Sequence, residues 1–170
     1  MTNKQQDTAY FQQVVEDNKH SILRICTMYA VAPLEPEDLF QDVLFQIWQS
    51  LNKFQGKSAL STWVYRITLN VCMKAKLKLE KTNNRTTPFD SISFMQASET
   101  NEVVENEKLE FLKHCIAALE ESDKSIIVLF LEDLSYRDIA QTTGISENHV
   151  AVKMKRIRKK LLGCITPKLT

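Results

Sequence analysis

From Thr8 onward apolar residues recur at intervals of three and four. Phe11, Val14, Val15, Ile22, Ile25 and Met28 describe one side of an α-helix. The pattern breaks at Ala32-Pro33-Leu34-Glu35-Pro36, because proline is tolerated at a helix start but not within one. A second helix is predicted over Glu37 to Leu51, with Leu39, Phe40, Val43, Leu44, Ile47, Trp48 and Leu51 on a broad apolar side. Asp38, Gln41, Asp42 and Gln49 lie on the other. Phe54 to Leu60, with Gly56, reads as a loop, and Ser61 is placed to cap a long helix from Thr62 to Lys81. Periodicity is then lost across Thr82 to Asn101, a polar stretch too long for a loop inside one compact domain. The predicted architecture is therefore all-α. Two small helical domains, residues 8–81 and 102–165, are joined by a flexible linker, residues 82–101.

In the second domain a helix through Leu109, Leu112, Ile116 and Leu119 precedes an apolar run from Ile126 to Leu131. Ser135 can cap a short helix, Tyr136 to Thr142, with Ile139 and Ala140 turned inward. Gly144 is free to take the left-handed conformation that a tight helix exit needs, and Ser146 caps the next helix. There Val150, Met154, Ile157 and Leu161 form a buried seam. At about 100° per residue the opposite side carries Asn148, Lys155 and Lys159, flanked by His149, Val152 and Arg156. This is a helix-turn-helix whose second helix has a polar first turn (Glu147, Asn148, His149) and a basic body that includes Lys153. Such a helix suits a DNA major groove, base edges first and phosphates later.

Charge sharpens this picture. The formal net charge is only +1. Yet four acids and no base lie between Glu35 and Asp42, while eight bases and one acid lie between Lys53 and Arg85. Six bases and one acid occupy Glu147 to Leu162. Basic blocks favour a polyanion and acidic ones a basic protein surface; for any single block a solvated helix face is the plain alternative. In the Thr62 helix, Thr62, Arg66, Asn70 and Lys74 recur every fourth residue and form a polar ridge beside Trp63 and Tyr65. Cations next to aromatics suit a single nucleic-acid strand. Trp63 also lies near Val64, Ile67 and Val71, so a core role is equally open to it.

Other chemistry is thinly represented. The four cysteines (Cys26, Cys72, Cys115, Cys164) are far apart without a CxxC pair, and reduced thiols are expected. The polar N-terminus MTNKQQDTAY does not read as a secretory signal, and no apolar run approaches a membrane span. No phosphate-binding glycine loop, metal-ligand cluster or nucleophile–base pair is visible, so neither an enzyme nor a cofactor is expected, and no residue is assigned to catalysis or metal binding.

Two segments carry a family resemblance. EDLFQDVLFQIWQSLNKFQGKSALSTWVYRITLNV resembles region 2 of the extracytoplasmic-function (ECF) sigma factors: an acidic EDLxQExF helix, a Phe-x-Gly loop and a TWLYRIAxN helix. LSYRDIAQTTGISENHVAVKMKRIRKKL is similar to their region 4, where LSYxEIAxxLGIS precedes a basic helix ending in RxRKKL. It departs from the family at His149-Val150-Ala151-Val152-Lys153, where Thr-Val-Lys-Ser-Arg is frequent.

The resemblance implies an alternative sigma factor that joins core RNA polymerase and directs promoter-specific initiation in the cytoplasm. On that footing Asp38, Gln41 and Asp42 dock on the coiled coil of the largest polymerase subunit. Lys57, Ser58, Thr62, Trp63, Arg66, Asn70 and Lys74 handle the melted −10 element. Glu147, Asn148, His149, Lys153, Lys155, Arg156 and Lys159 read the −35 element. An anti-sigma factor is a further implied partner. The main rival is a helix-turn-helix regulator that never joins polymerase; a helical RNA-binding or antitermination protein is another. The first of these leaves the acidic helix and the basic, aromatic −10 helix without a role.

Overall fold

A computed structural model describes residues 3–83 and 102–169, which form seven α-helices and, among the described residues, no strand. The chain divides into two compact units, Met1–Pro88 and Phe89–Thr170.

The first unit packs three helices, α1 (Asn3–Tyr29), α2 (Pro36–Ser50) and α3 (Leu60–Asn83), with a 3-10 turn at Leu51–Lys53. Pro36 opens α2 where its missing N–H costs nothing, and Glu37 and Asp38 sit in the first turn, where the helix dipole favours acids. The core interleaves Val14, Ile22, Ile25 and Tyr29 of α1 with Leu39, Val43 and Ile47 of α2 and Val64, Leu69 and Cys72 of α3. Two buried polar side chains, Asn18 and Thr68, are satisfied within their own helices. Asn18 Nδ2 donates to the Val14 carbonyl at 2.8 Å, and Thr68 Oγ1 to that of Val64 at 2.9 Å. The start of α3 differs from expectation. Ser61 lies inside the helix rather than capping it, since the Trp63 N–H already bonds the Ala59 carbonyl at 3.1 Å.

The second unit holds α4 (Glu102–Ala117), α5 (Glu121–Leu131), α6 (Tyr136–Thr143) and α7 (Glu147–Leu169). Its local signals are realised as read. Ser135 Oγ accepts from the Asp138 N–H, Gly144 takes φ 77°, and Ser146 Oγ accepts from the His149 N–H at 3.2 Å. Val150, Met154, Ile157 and Leu161 are all buried. Leu109, one of the apolar residues whose spacing marks α4, is exposed; Cys115 and Ile116 supply that helix's burial. The expectation of four reduced cysteines also needs correction. Cys115 and Cys164 form a disulfide, while the buried Cys26 and Cys72 lie with sulfurs 3.9 Å apart and are not bonded. Of the expected linker, Thr82 and Asn83 belong to α3, and residues 84–101 lie outside the described residues.

Candidate nucleic-acid interface

The candidate recognition face is built on α7, and packing decides which of the six cations between Lys153 and Lys160 face outward. Lys153 does not. Its Nζ donates to Asp123 Oδ1 at 2.8 Å and to Ser122 Oγ at 3.1 Å, both on α5, and its side chain is only 16% exposed. Lys160 donates to the other carboxylate oxygen of Asp123, also at 2.8 Å. Arg158 lies over the Phe130 ring at 5.2 Å. These three bases therefore hold α7 against α5. Lys155, Arg156 and Lys159 are exposed and make no ion pair among the described residues. The basic block of the sequence is thus divided in two: Lys153, which the resemblance implied as a −35 contact, is tied to the scaffold, because position 153 lies beside the seam residues Val150, Met154 and Ile157 and so faces α5.

Asp123 is a residue that sequence reasoning missed. It is buried at the start of α5, an apolar helix whose burial runs unbroken from Asp123 to Leu129. Burial alone would push its carboxyl up. The hydrogen bonds and charges of Lys153 and Lys160 together outweigh that and hold it below its ordinary value. The hydrogen bond and charge of Asp123 in turn raise Lys160. The available signal was a run of polar residues, Ser122 to Ser125, leading directly into an apolar helix.

The first turn of α7 presents Glu147, Asn148 and His149 outward as expected, followed by the exposed apolar side chain of Val152. Arg137, exposed on α6, adds a cation that sequence reasoning did not assign. In a helix-turn-helix the first helix crosses the DNA backbone, and Arg137 sits on that helix.

In the first unit, the ridge on α3 is shorter than expected. Arg66, Asn70 and Lys74 are exposed on one face, but Thr62 is buried at 5% exposure, and Tyr65 is buried too. A four-residue interval places side chains on one face; it does not say how far packing covers that face. Trp63 is half-buried with its ring centroid 5.1 Å from that of Phe54. Lys57 is exposed next to Gly56, whose φ of 65° makes the loop turn, and Ser58 is half-buried.

Asp38, Gln41 and Asp42 are all exposed on α2. Phe45, on the same face by its three-residue step from Asp42, is 62% exposed, a large apolar group in the middle of a polar surface.

Two family models match this chain, "Sigma-70 region 2" over residues 14–82 and "Sigma-70, region 4" over residues 110–161. The chain belongs to the sigma-70 family, in its ECF branch. Each family region falls on its own helical unit: region 2 carries the α2 and α3 faces, region 4 the α6–α7 motif. Among relatives, the ECF RNA polymerase sigma factor SigG of Mycobacterium tuberculosis is 28% identical over 147 residues, covering 86% of this chain. This chain spans 39% of the length of that relative. The ECF RNA polymerase sigma-E factor of Haemophilus influenzae is 27% identical over 177 residues, covering 96% of this chain and 92% of its own. The fold is shared with the sigma factor RpoE of Bartonella quintana, solved in complex with the anti-sigma factor NepR. That likeness has a TM-score of 0.74 at 19% identity and covers 92% of this chain and 96% of that one.

Among the described residues no helix is long and apolar enough to cross a membrane, and no cluster of three His, Cys, Asp or Glu is placed to hold a metal ion.

Proposed function

We propose that the protein is an alternative sigma factor that binds core RNA polymerase and directs it to promoters with particular −35 and −10 elements. The observation that carries this reading is the presence in one chain, in order, of both sigma regions, each on a separate helical unit with its own exposed recognition face. Asp38, Gln41 and Asp42 dock on a basic coiled coil of the polymerase, with Phe45 as the apolar anchor among them. Carboxylates beside an amide suit arginines on a partner helix, and a central aromatic is what an interface of this kind concentrates its energy in.

Lys57, Ser58, Arg66, Asn70 and Lys74 contact the melted −10 strand, with Trp63 against Phe54 at its edge. Glu147, Asn148 and His149 read −35 base edges, while Lys155, Arg156 and Lys159 neutralise phosphates. The work is binding energy directed at unpairing DNA, with no covalent step and no cofactor. Its place is the cytoplasm, where polymerase and promoters are. An anti-sigma factor is a fitting regulator, as RpoE of Bartonella quintana has one in NepR.

The test is co-elution of the full chain with core polymerase, followed by footprinting of the complex on promoter DNA. The reading requires both association with core and protection at two sites. Duplex binding without core association would favour a free-standing helix-turn-helix regulator.

A further inference from the structure

All four cysteines meet another cysteine within their own unit, although each pair is separated by more than forty residues in sequence. Cys26 of α1 and Cys72 of α3 are fully buried with their sulfurs 3.9 Å apart. Cys115 of α4 is bonded to Cys164 of α7, with their α-carbons 6.0 Å apart and a sequence separation of 49. The two pairs differ in access. Both sulfurs of the first are sealed in the core, whereas Cys164 is only half-buried, near the C-terminal end of α7. It also lies beyond the family's shared region 4, which ends at residue 161.

We propose that Cys115 and Cys164 form a reversible dithiol–disulfide modification site that sets how firmly α4 is held to the recognition helix. Reversibility rests on the cytoplasmic reading given above, since disulfides in that compartment are transient or redox-sensing far more often than structural. The oxidant is a hydroperoxide. The Cys164 thiolate attacks the peroxide oxygen, the O–O bond breaks, and a sulfenic acid and an alcohol (water, from hydrogen peroxide) result. The Cys115 thiolate then attacks the sulfenic sulfur, the S–S bond forms, and hydroxide leaves as water after protonation. Two thiols and one hydroperoxide thus give one disulfide, one alcohol and one water. A dithiol reductant reverses the step. One thiolate attacks the half-buried Cys164 sulfur, the Cys115 thiolate leaves and is protonated, and the reductant's second thiol releases Cys164 by closing the reductant's own disulfide.

The consequence follows from where the bridge lies. In α4, Cys115 and Ile116 alone among residues 107–117 are fully buried, and Leu109 is exposed. On α7 the ion pairs to Asp123 and the seam hold the helix as far as Leu161, and the bridge holds the turns beyond. The disulfide therefore secures the two segments least held by packing. In the dithiol form α4 and the distal turns of α7 open more often, while the recognition end near Asn148 stays in place.

The experiment treats the full chain first with dithiothreitol and then with one equivalent of hydrogen peroxide. Alkylation with mass spectrometry reads the thiols, and hydrogen exchange reads the backbone. Cys115 and Cys164 should cross-link and release without denaturant, with Cys26 and Cys72 alkylated only after unfolding. Reduction should speed exchange by at least about 10-fold in α4 and after Leu161, and by less than about twofold around Asn148. Cys164→Ser should exchange like the reduced protein and ignore peroxide. A bridge that never re-forms, or that resists reduction until the protein unfolds, would overturn the proposal, as would exchange unchanged by reduction. These readouts involve neither DNA nor polymerase. A protein that passes them yet binds no promoter keeps the thiol site and loses the transcription reading.

Discussion

Asp123 binds two lysines with one carboxylate, so a single substitution loosens the scaffold of α7 without touching the outward cations Lys155, Arg156 and Lys159. Asp123→Asn removes both ion pairs and strands Lys153, which is nearly buried. Loss of a partner at such a site costs on the order of 3 kcal/mol. The expected result is faster hydrogen exchange throughout α5 and α7. Fluorescence would miss it, because both tryptophans, Trp48 and Trp63, lie in the first unit. The pH dependence has a definite sign. The folded pKa of Asp123 lies below its ordinary value of 3.8. Its contribution is therefore fully present above that value and is lost as pH falls through the folded pKa, where the unfolded chain binds more protons. Protection of α7 in the wild type should thus be steady from neutral pH to about 5 and fall below about 4. The Asn variant should lack that step. Lys153→Ala should weaken α7 but leave the salt dependence of DNA binding unchanged. Changing Lys155, Arg156 and Lys159 together to Ala should leave α7 intact and flatten the salt slope by roughly one unit per lost phosphate contact. A slope equal to that of wild type in the triple variant would remove this face from the phosphates.

Among the elements, α2 and the α6–α7 pair were the most legible in the sequence, because what defines them is local. A proline at a helix start, a serine accepting from an N–H three residues on, and a glycine in the left-handed region each act within a few residues. So does a seam spaced four, three and four. The residues that were misread depend on non-local packing. Thr62 is buried by the packing of its unit, Lys153 is turned towards an acid thirty residues earlier in the chain, and Cys115 pairs with Cys164 across the second unit. No periodicity reports such contacts. Phe45 escaped notice because an apolar residue on a polar face breaks the pattern used to find the helix. On α2 it gives a direct test. Asp38→Arg with Asp42→Arg places like charge against a basic coiled coil and should cost several kcal/mol of core polymerase binding. Phe45→Ala should cost about 1–3 kcal/mol without altering the helix. Sedimentation of labelled protein with core polymerase would give both values. Unchanged binding by the doubly reversed protein would place the docking surface elsewhere.

For the whole molecule, the proposed function has the first unit hold polymerase and the opened strand and the second read duplex DNA. The exposed Arg66 and Asn70 on α3 should then matter only once the strands separate. Arg66→Ala with Asn70→Ala should keep core binding and −35 binding near wild type, yet lower promoter opening by at least about tenfold, since unpairing costs a few kcal/mol that strand contacts must offset. The most direct measurement is permanganate reactivity of thymines around the start site of a linear promoter, with core polymerase and either protein, alongside the run-off transcript. The account requires reactive thymines and a transcript of defined length with wild-type protein, neither with core alone, and bound but unreactive DNA with the double variant. Promoter DNA that is bound by the wild-type protein and core yet stays closed and yields no transcript would contradict it.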